Sequence, residues 1–206
     1  MGAMTWSSYV LPTYQHTDFE PGSIVLDVGC GEGVQMQELV ERGCRAVGVE
    51  VSLSQASKVR CDAPVVVARG EALPFAEQAF DGVVSKGVLM LTDEERVIRE
   101  IARVTRVGGV IDLTVNAAGY YLRYALCSRD VRERVYGLRT LLNTWFKGLT
   151  GRSFPGFLGD TVYDSLPRLE RLCARHGLQI VRHRGSPTFL GLSVFIYLRL
   201  KRSATR

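Results

Sequence analysis

Residues 24–33 read I-V-L-D-V-G-C-G-E-G, and this stretch decides the fold. Ile24, Val25 and Leu26 lead into Asp27, Val28 follows, and Gly29, Gly31 and Gly33 come next at alternating positions. The apolar run predicts a strand and the glycines a tight turn. Helical spacing resumes at Val34, Met36, Leu39 and Val40, so the turn opens onto a helix. Glycine suits such a turn because it tolerates positive φ and, lacking Cβ, lets the backbone approach a ligand closely. Any strand-to-helix turn favours glycine, but here Asp27 stands two positions before Gly29. A second short apolar strand, R-A-V-G-V-E (45–50), ends in Glu50, 21 residues after Gly29. An acidic side chain at that distance grips ribose hydroxyls in nucleoside-binding βαβ units. The dinucleotide fingerprint Gly-x-Gly-x-x-Gly is not met: the third glycine comes one position early, and Val34 stands where the last glycine would be.

D-V-G-C-G-E-G followed by G-V-E resembles motif I and its acidic partner in class I S-adenosylmethionine-dependent methyltransferases. The branch it resembles is the small-molecule one, similar to methyltransferase type 11 and the ubiquinone/menaquinone methyltransferases. The resemblance extends from about Ile24 to Asn116 in four ordered blocks. The second is G-E-A-L-P-F (70–75). A frequent family form is Gly-Asp-Ala-x-x-Leu-Pro-Phe, whose Asp receives the adenine amino group; here the aligned tripeptide is Ala68-Arg69-Gly70, so either Glu71 takes over or the backbone at Gly70 to Ala72 suffices. The third block is F-D-G-V-V-S-K-G (80–87). The fourth follows E-I-A-R-V-x-x-x-G-G-x-I, with Val107 in place of the usual proline.

The resemblance implies an α/β fold: a Rossmann-like, seven-stranded, mostly parallel sheet with helices on both faces, an antiparallel last strand and a helical cap inserted after the fifth strand. S-adenosyl-L-methionine is the implied cofactor. Asp27, the turn Gly29, Cys30, Gly31 and Gly33, and the end of the fourth strand at Lys86 are expected around its methionyl part. Glu50 is expected at the ribose, and Val51 with Gly70, Glu71 and Ala72 at the adenine. Cys30 is read as a small packing residue whose backbone alone nears the cofactor. The substrate candidates are Tyr14, His16, Lys86, Met90, Asn116, Tyr120 and Tyr121. Lys86 could meet an anionic substrate group, act as a base if burial lowers its pKa, or reach solvent. Met90 and Leu91 occupy places where relatives often have His, so no catalytic residue is named.

The 206 residues, 46% hydrophobic and 23% charged, suit one soluble globular domain. The expected division is an N-terminal lid or helix (1–22), a cofactor core (23–116), a cap insertion (117–160), and a last helix with a C-terminal hairpin (161–206). No apolar run approaches the roughly 20 residues of a membrane span, and the N-terminus has no visible secretory signal. Five scattered cysteines without metal-ligand spacing fit reduced thiols in a cytoplasmic protein. The formal charge is −6 over residues 1–115 and +11 over 116–206. That asymmetry points to an anionic substrate, a phosphate-bearing surface or nucleic acid, or simply to solvated arginine faces.

Further expectations follow along the chain. A helix is expected from about Leu53 to Arg60 and a strand over Pro64 to Arg69. Thr92 and Glu95 form a capping box ahead of a helix with Val97, Ile98, Ile101 and Val104 inside and Arg96, Arg99, Glu100 and Arg103 outside. That helix ends at Gly108-Gly109, and residues 110–116 form the fifth strand. Residues 117–160 interleave arginines with aromatics and predict one or two helices and a loop, read as a structural cap with a few substrate contacts in preference to a nucleic-acid surface, the plainer alternative being an amphipathic helical pair packing its own core. A helix over 165–176 precedes two strands, 178–184 and 188–199. The favoured acceptor is a small and possibly anionic metabolite. RNA or protein is the alternative acceptor, with nucleic acid not favoured, and a non-catalytic cofactor-binding module is a further alternative. A nicotinamide-dependent reductase is disfavoured by the glycine spacing and the lack of Tyr-x-x-x-Lys. The oligomeric state is left open.

Overall fold

In the computed structural model, residues 19–184 and 187–204 are described. Most of the expected lid, with Tyr14 and His16, lies outside them. The elements run β1 (Ile24–Val28), α1 (Val34–Glu41), β2 (Arg45–Glu50), α2 (Leu53–Ala56), β3 (Val65–Val67), β4 (Phe80–Lys86), α3 (Glu94–Val104), β5 (Thr105–Asn116), α4 (Ala118–Cys127), α5 (Val131–Thr150), α6 (Leu166–Arg175), β6 (Leu178–Arg184), β7 (Thr188–Phe189), β8 (Leu192–Ser193) and β9 (Phe195–Arg202).

Seven strands form one sheet in the order β3-β2-β1-β4-β5-β9-β6. β1 pairs in parallel with β2 and β4, and β4 with β5, while β9 is antiparallel to both β5 and β6. The expected architecture with its antiparallel last strand is therefore the observed one. Because side chains alternate across a strand, β1 feeds two cores. Leu26 and Val28 join Ile98 and Ile101 of α3 and Leu169 of α6, whereas Val25 joins Met36 and Leu39 of α1. Burying each such aliphatic side chain contributes roughly 1.5–3 kcal/mol, so β1 is held from both faces. The chain leaves β1 toward β2 and re-enters on its other side as β4. The sheet order thus reverses between β1 and β4, where open α/β sheets bind ligands beyond the strand ends.

Several boundaries differ from expectation. α2 stops at Ala56 and β3 covers only Val65–Val67, which pairs with three residues of β2. Thr92 does not cap α3: its hydroxyl donates to the carbonyls of Val88 and Leu89. Asp93 is the cap, accepting from the Arg96 N–H at 3.2 Å. α3 ends at Val104 rather than at the glycines, because Thr105 turns to extended backbone (φ −78°, ψ 134°). The register then shifts between the pairs Phe80–Thr105 and Gly82–Val110, so residues 106–109 bulge from the start of β5. The expected strand 188–199 is split: β7 and β8 form a separate small hairpin, and β9 begins at Phe195. Residues 117–160 hold two helices, as the longer of the two expectations had it.

Candidate functional site

The turn after β1 is built from three left-handed glycines: Gly29, Gly31 and Gly33 have φ of +77°, +54° and +86°. Their purposes differ. A Cβ on Gly29 would lie 2.2 Å from Val88 Cγ2 and one on Gly33 2.7 Å from Val59 Cγ1, whereas at Gly31 it would meet nothing among the described residues within 4 Å. Two glycines therefore allow close packing, and the middle one faces open space, a cradle that a side chain would fill. The N–H groups of Gly29 and Cys30 both donate to the Val49 carbonyl, fixing the turn to β2. Gly31 N–H donates to Glu50 Oε2 at 3.0 Å and Ser52 N–H to Oε1 at 2.9 Å. The Glu50 carboxylate is thus clamped between the exits of β1 and β2.

Beneath the turn lies a charge cluster. Asp27 is buried, and its Oδ2 accepts no hydrogen bond among the described residues. Burial pushes its pKa up to about 7, with Lys86 opposing and Glu50 adding to the rise. Burial also lowers the pKa of Lys86, against the pull of Glu38 and Asp27. Lys86 shares the parity of Val84 on β4, the face that packs on α1, so it joins Asp27 and Glu38. Ser85, on the opposite face, donates to the Val28 carbonyl at 3.1 Å and holds the ends of β4 and β1 together. An orphaned, buried carboxylate oxygen beside a glycine cradle fits a cationic ligand group. The residues present therefore suit the ammonium and sulfonium of S-adenosylmethionine. Cys30 packs near Met36, and burial raises its thiol to about 12, which leaves no reactive thiolate.

Just beyond the tip of β2, Val51 is 63% exposed. Ala72 N–H closes a turn on the Arg69 carbonyl at 3.1 Å. Arg69 pairs with Glu71 at 3.2 Å, and Glu71 also accepts from the Asp93 N–H. Although burial raises it, Glu71 sits below its ordinary range because backbone N–H groups and Arg69 favour the carboxylate. Sequence reasoning put Glu100 and Arg103 on the outer face of α3. They instead hold the 70–75 loop: Glu100 accepts from Leu73 N–H, and Arg103 donates to the carbonyls of Leu73 and Phe75. Helical period alone could not show this, since the loop comes from elsewhere in the chain.

On the other side of the turn, Met90 is buried in a 3₁₀ turn, Leu89–Leu91. Asn116 ends β5, and Tyr121 is fully buried on α4. Burial, with Tyr136 beside it, drives the Tyr121 phenol far above its usual range. Tyr120 donates to the Tyr124 hydroxyl at 2.9 Å and its ring lies 5.2 Å from that of Tyr121, so both tyrosine candidates belong to one aromatic cluster. A cavity of about 850 Å³ is lined by Met90, the start of α3, the C-terminal part of α5, the loop before α6, and α6. Here Arg168 Nη2 lies 2.7 Å from Glu94 Oε2. Asp164 is buried against Glu94, and burial raises the pKa of both. Two carboxyls in such contact bond to each other only by sharing a proton. Lys147 and Arg171 also line this cavity. Sequence reasoning missed it, because no local pattern places α6 beside the start of α3.

Fold and site together resemble those of class I S-adenosylmethionine-dependent methyltransferases. Residues 26–112 match the family model described as a methyltransferase domain. Among curated relatives, the demethylmenaquinone methyltransferase of Corynebacterium urealyticum is 42% identical over 100 residues, 47% of this chain and 43% of the relative. The corresponding enzyme of Corynebacterium efficiens is 39% identical over 100 residues, with the same coverage of both chains. The chain thus spans less than half the length of these relatives. Among solved structures, a methyltransferase of Methanosarcina mazei superposes with a TM-score of 0.66 at 18% identity, covering 91% of this chain and 95% of that one. The 1,6-didemethyltoxoflavin-N1-methyltransferase of Burkholderia thailandensis, solved with 1,6-didemethyltoxoflavin and S-adenosylhomocysteine, gives 0.59 at 16% identity over 89% and 72%. At that identity the structural likeness speaks for the fold. Among the described residues no helix is long and apolar enough to cross a membrane.

Proposed function

We propose that this protein is an S-adenosylmethionine-dependent methyltransferase acting on a small-molecule acceptor. The observation that carries the reading is the Glu50 carboxylate, fixed by the N–H groups of Gly31 and Ser52 beside the open face of the glycine turn. Held this way, each oxygen keeps a lone pair for a ribose hydroxyl and loses no rotamer freedom on binding. Asp27 answers the ligand's positive charge from below the turn. The N–H groups of residues 29–31 are already used within the protein, so the turn meets the methionyl end with its carbonyls. Val51 lies against the adenine face, and the braced backbone at Gly70 to Ala72 lies at its edge.

S-adenosylmethionine supplies, when bound, a sulfonium methyl group that is already electrophilic. The chain's contribution is alignment of the acceptor and exclusion of water. Leu89, Met90 and Leu91 carry no group that takes a proton, and the Tyr121 phenol is held neutral. α4 and α5 act as the cap, with Met90 and Asn116 between the cofactor turn and the acceptor. Lys147 and Arg171 make no ion pair within 4.0 Å among the described residues, so they favour an acceptor with an anionic group. The polar cavity beside Met90 supports a metabolite over RNA.

Calorimetry with S-adenosylmethionine tests the assignment. Glu50→Ala is expected to weaken binding at least about 100-fold, about 2.7 kcal/mol, with the fold intact by circular dichroism. Unchanged affinity would overturn it. Labelled cofactor incubated with fractionated extract should pass its label into the small-molecule pool.

A further inference from the structure

α5 is built inside out. Its buried positions are Gly137, Arg139, Thr140 and Asn143, and its exposed ones include Val131, Val135, Leu138, Leu142, Trp145 and Leu149, between 42 and 70% exposed. The two sets lie on opposite sides of the helix. At 100° per residue, the six apolar positions fall within an arc of about 80°, a continuous stripe five turns long. The inversion is stabilised by specific partners. Asn143 donates to the Thr161 carbonyl at 2.8 Å and accepts from the Phe154 N–H at 2.9 Å. Thr144 accepts from the Tyr163 N–H at 2.9 Å. Arg139 pairs with Asp160 and lies over the Phe157 ring, 4.1 Å from its centroid. The 154–163 loop thus holds Asn143, Thr144 and Arg139 on the buried side, Thr140 bonds back to the Tyr136 carbonyl, and the apolar face is left to the surroundings. Single exposed apolar residues need no explanation, but a contiguous stripe of this kind marks an interaction surface.

The charges flanking the stripe are of one sign. Arg132 and Arg134 stand exposed on its two sides, while the one acid within α5, Glu133, faces away and bonds to Ser128. Residues 116–206 carry a net +11. A parallel second copy would set arginine against arginine, and an antiparallel one offers these arginines no acid from the facing stripe. An anionic lipid surface answers both features: headgroups pair the arginines, the aliphatic stripe enters the acyl boundary, and Trp145 sits at the interface. We infer that α5 is a membrane-surface helix that docks this protein, lying flat, on anionic bilayers.

The full chain with phosphatidylglycerol-containing vesicles and with pure phosphatidylcholine vesicles provides the test, read by co-sedimentation and size-exclusion chromatography. The expected result is binding to the anionic vesicles, weakened several-fold between 50 and 300 mM salt, as surface electrostatics demand. L142E should lose at least tenfold and R132E several-fold in vesicle affinity, each keeping the wild-type melting temperature and S-adenosylmethionine affinity; Arg134 is left in place because its Nε donates to the Ala125 carbonyl at 3.2 Å. The proposal is overturned by absence of binding to anionic vesicles, or by equal binding of wild type and L142E. It is also overturned by a wild-type dimer that L142E turns into a monomer, which would assign the stripe to a second copy. Protection of the stripe by residues 1–18, shown by vesicle binding only after their removal, would equally overturn it.

Discussion

α3 and α5 are both helices on the same domain, and they solve opposite problems. α3 buries Val97, Ile98, Ile101 and Val104 completely and turns Arg96 and Arg99 outward. α5 buries Arg139, Thr140 and Asn143 and turns its leucines and tryptophan outward. The first is held by the hydrophobic effect against β4 and β5, the second by hydrogen bonds to a loop and by packing of Tyr136 and Gly137 on α4. A helix over the cofactor core therefore has its stability in its apolar residues. One over the acceptor side keeps its apolar residues for something else.

The sharpest break of that comparison is the same kind of truncation on each helix. Ile101→Ala should cost about 4 kcal/mol in urea unfolding, transfer plus cavity, whereas Leu142→Ala should change stability by less than about 0.5 kcal/mol. Equal losses would show that the α5 stripe is covered. Next in size is Gly29→Ala, expected to cost about 3 kcal/mol by thermal unfolding, because its φ is left-handed and the new Cβ meets Val88. Val88→Ala should recover part of this loss in a double-mutant cycle, while leaving the part due to φ.

A smaller effect comes from Asp27. Its folded pKa is raised from 3.8 to about 7, so the stability it contributes is full below about pH 4 and is lost as pH rises toward 7. Asp27→Asn should remove that slope, adding about 2–3 kcal/mol at pH 8 relative to pH 5, while weakening S-adenosylmethionine binding. A melting temperature that still falls over this range in the variant would assign the slope elsewhere. Opposite signs for stability and binding would mark Asp27 as a residue kept for its ligand.

The strand, glycine turn and clamped acid over residues 24–50 were legible because their determinants are local. A strand, three glycines and an acid at the next strand's tip are neighbours in sequence or one βαβ unit apart, and backbone geometry does the rest. Period also placed the buried face of α3 correctly. For α5, the same periodicity shows that a stripe exists without showing which side water is on. That depends on Thr161, Phe154 and Asp160, residues of a loop whose path is set by tertiary contacts. The expectation of a helical pair packing a core of its own holds on the α4 side, where Tyr136 meets Tyr121 and Tyr124; the apolar stripe turned to the outside is what it did not show. Glu100 and Arg103 were misplaced similarly, since charged residues at helical spacing look solvated unless the loop they brace is known. The Asp93 cap was missed by one residue because Thr92 and Asp93 are both good caps, and the competition was decided by Thr92 bonding back to the 3₁₀ turn.

The close approach of Gly29 to Val88 has a consequence for altering what this protein methylates. Val88 opens the segment that leads to Met90, so under the proposed methyltransferase reading the acceptor wall would lean directly on the turn that holds the methyl donor. Substitutions that widen or reshape the wall at Met90 or beyond leave that turn alone. Any enlargement at Val88 pushes into a backbone that has no side chain to yield. Retargeting should therefore begin one residue further from the donor, at Leu89 and Met90, and treat Val88 as part of the donor site.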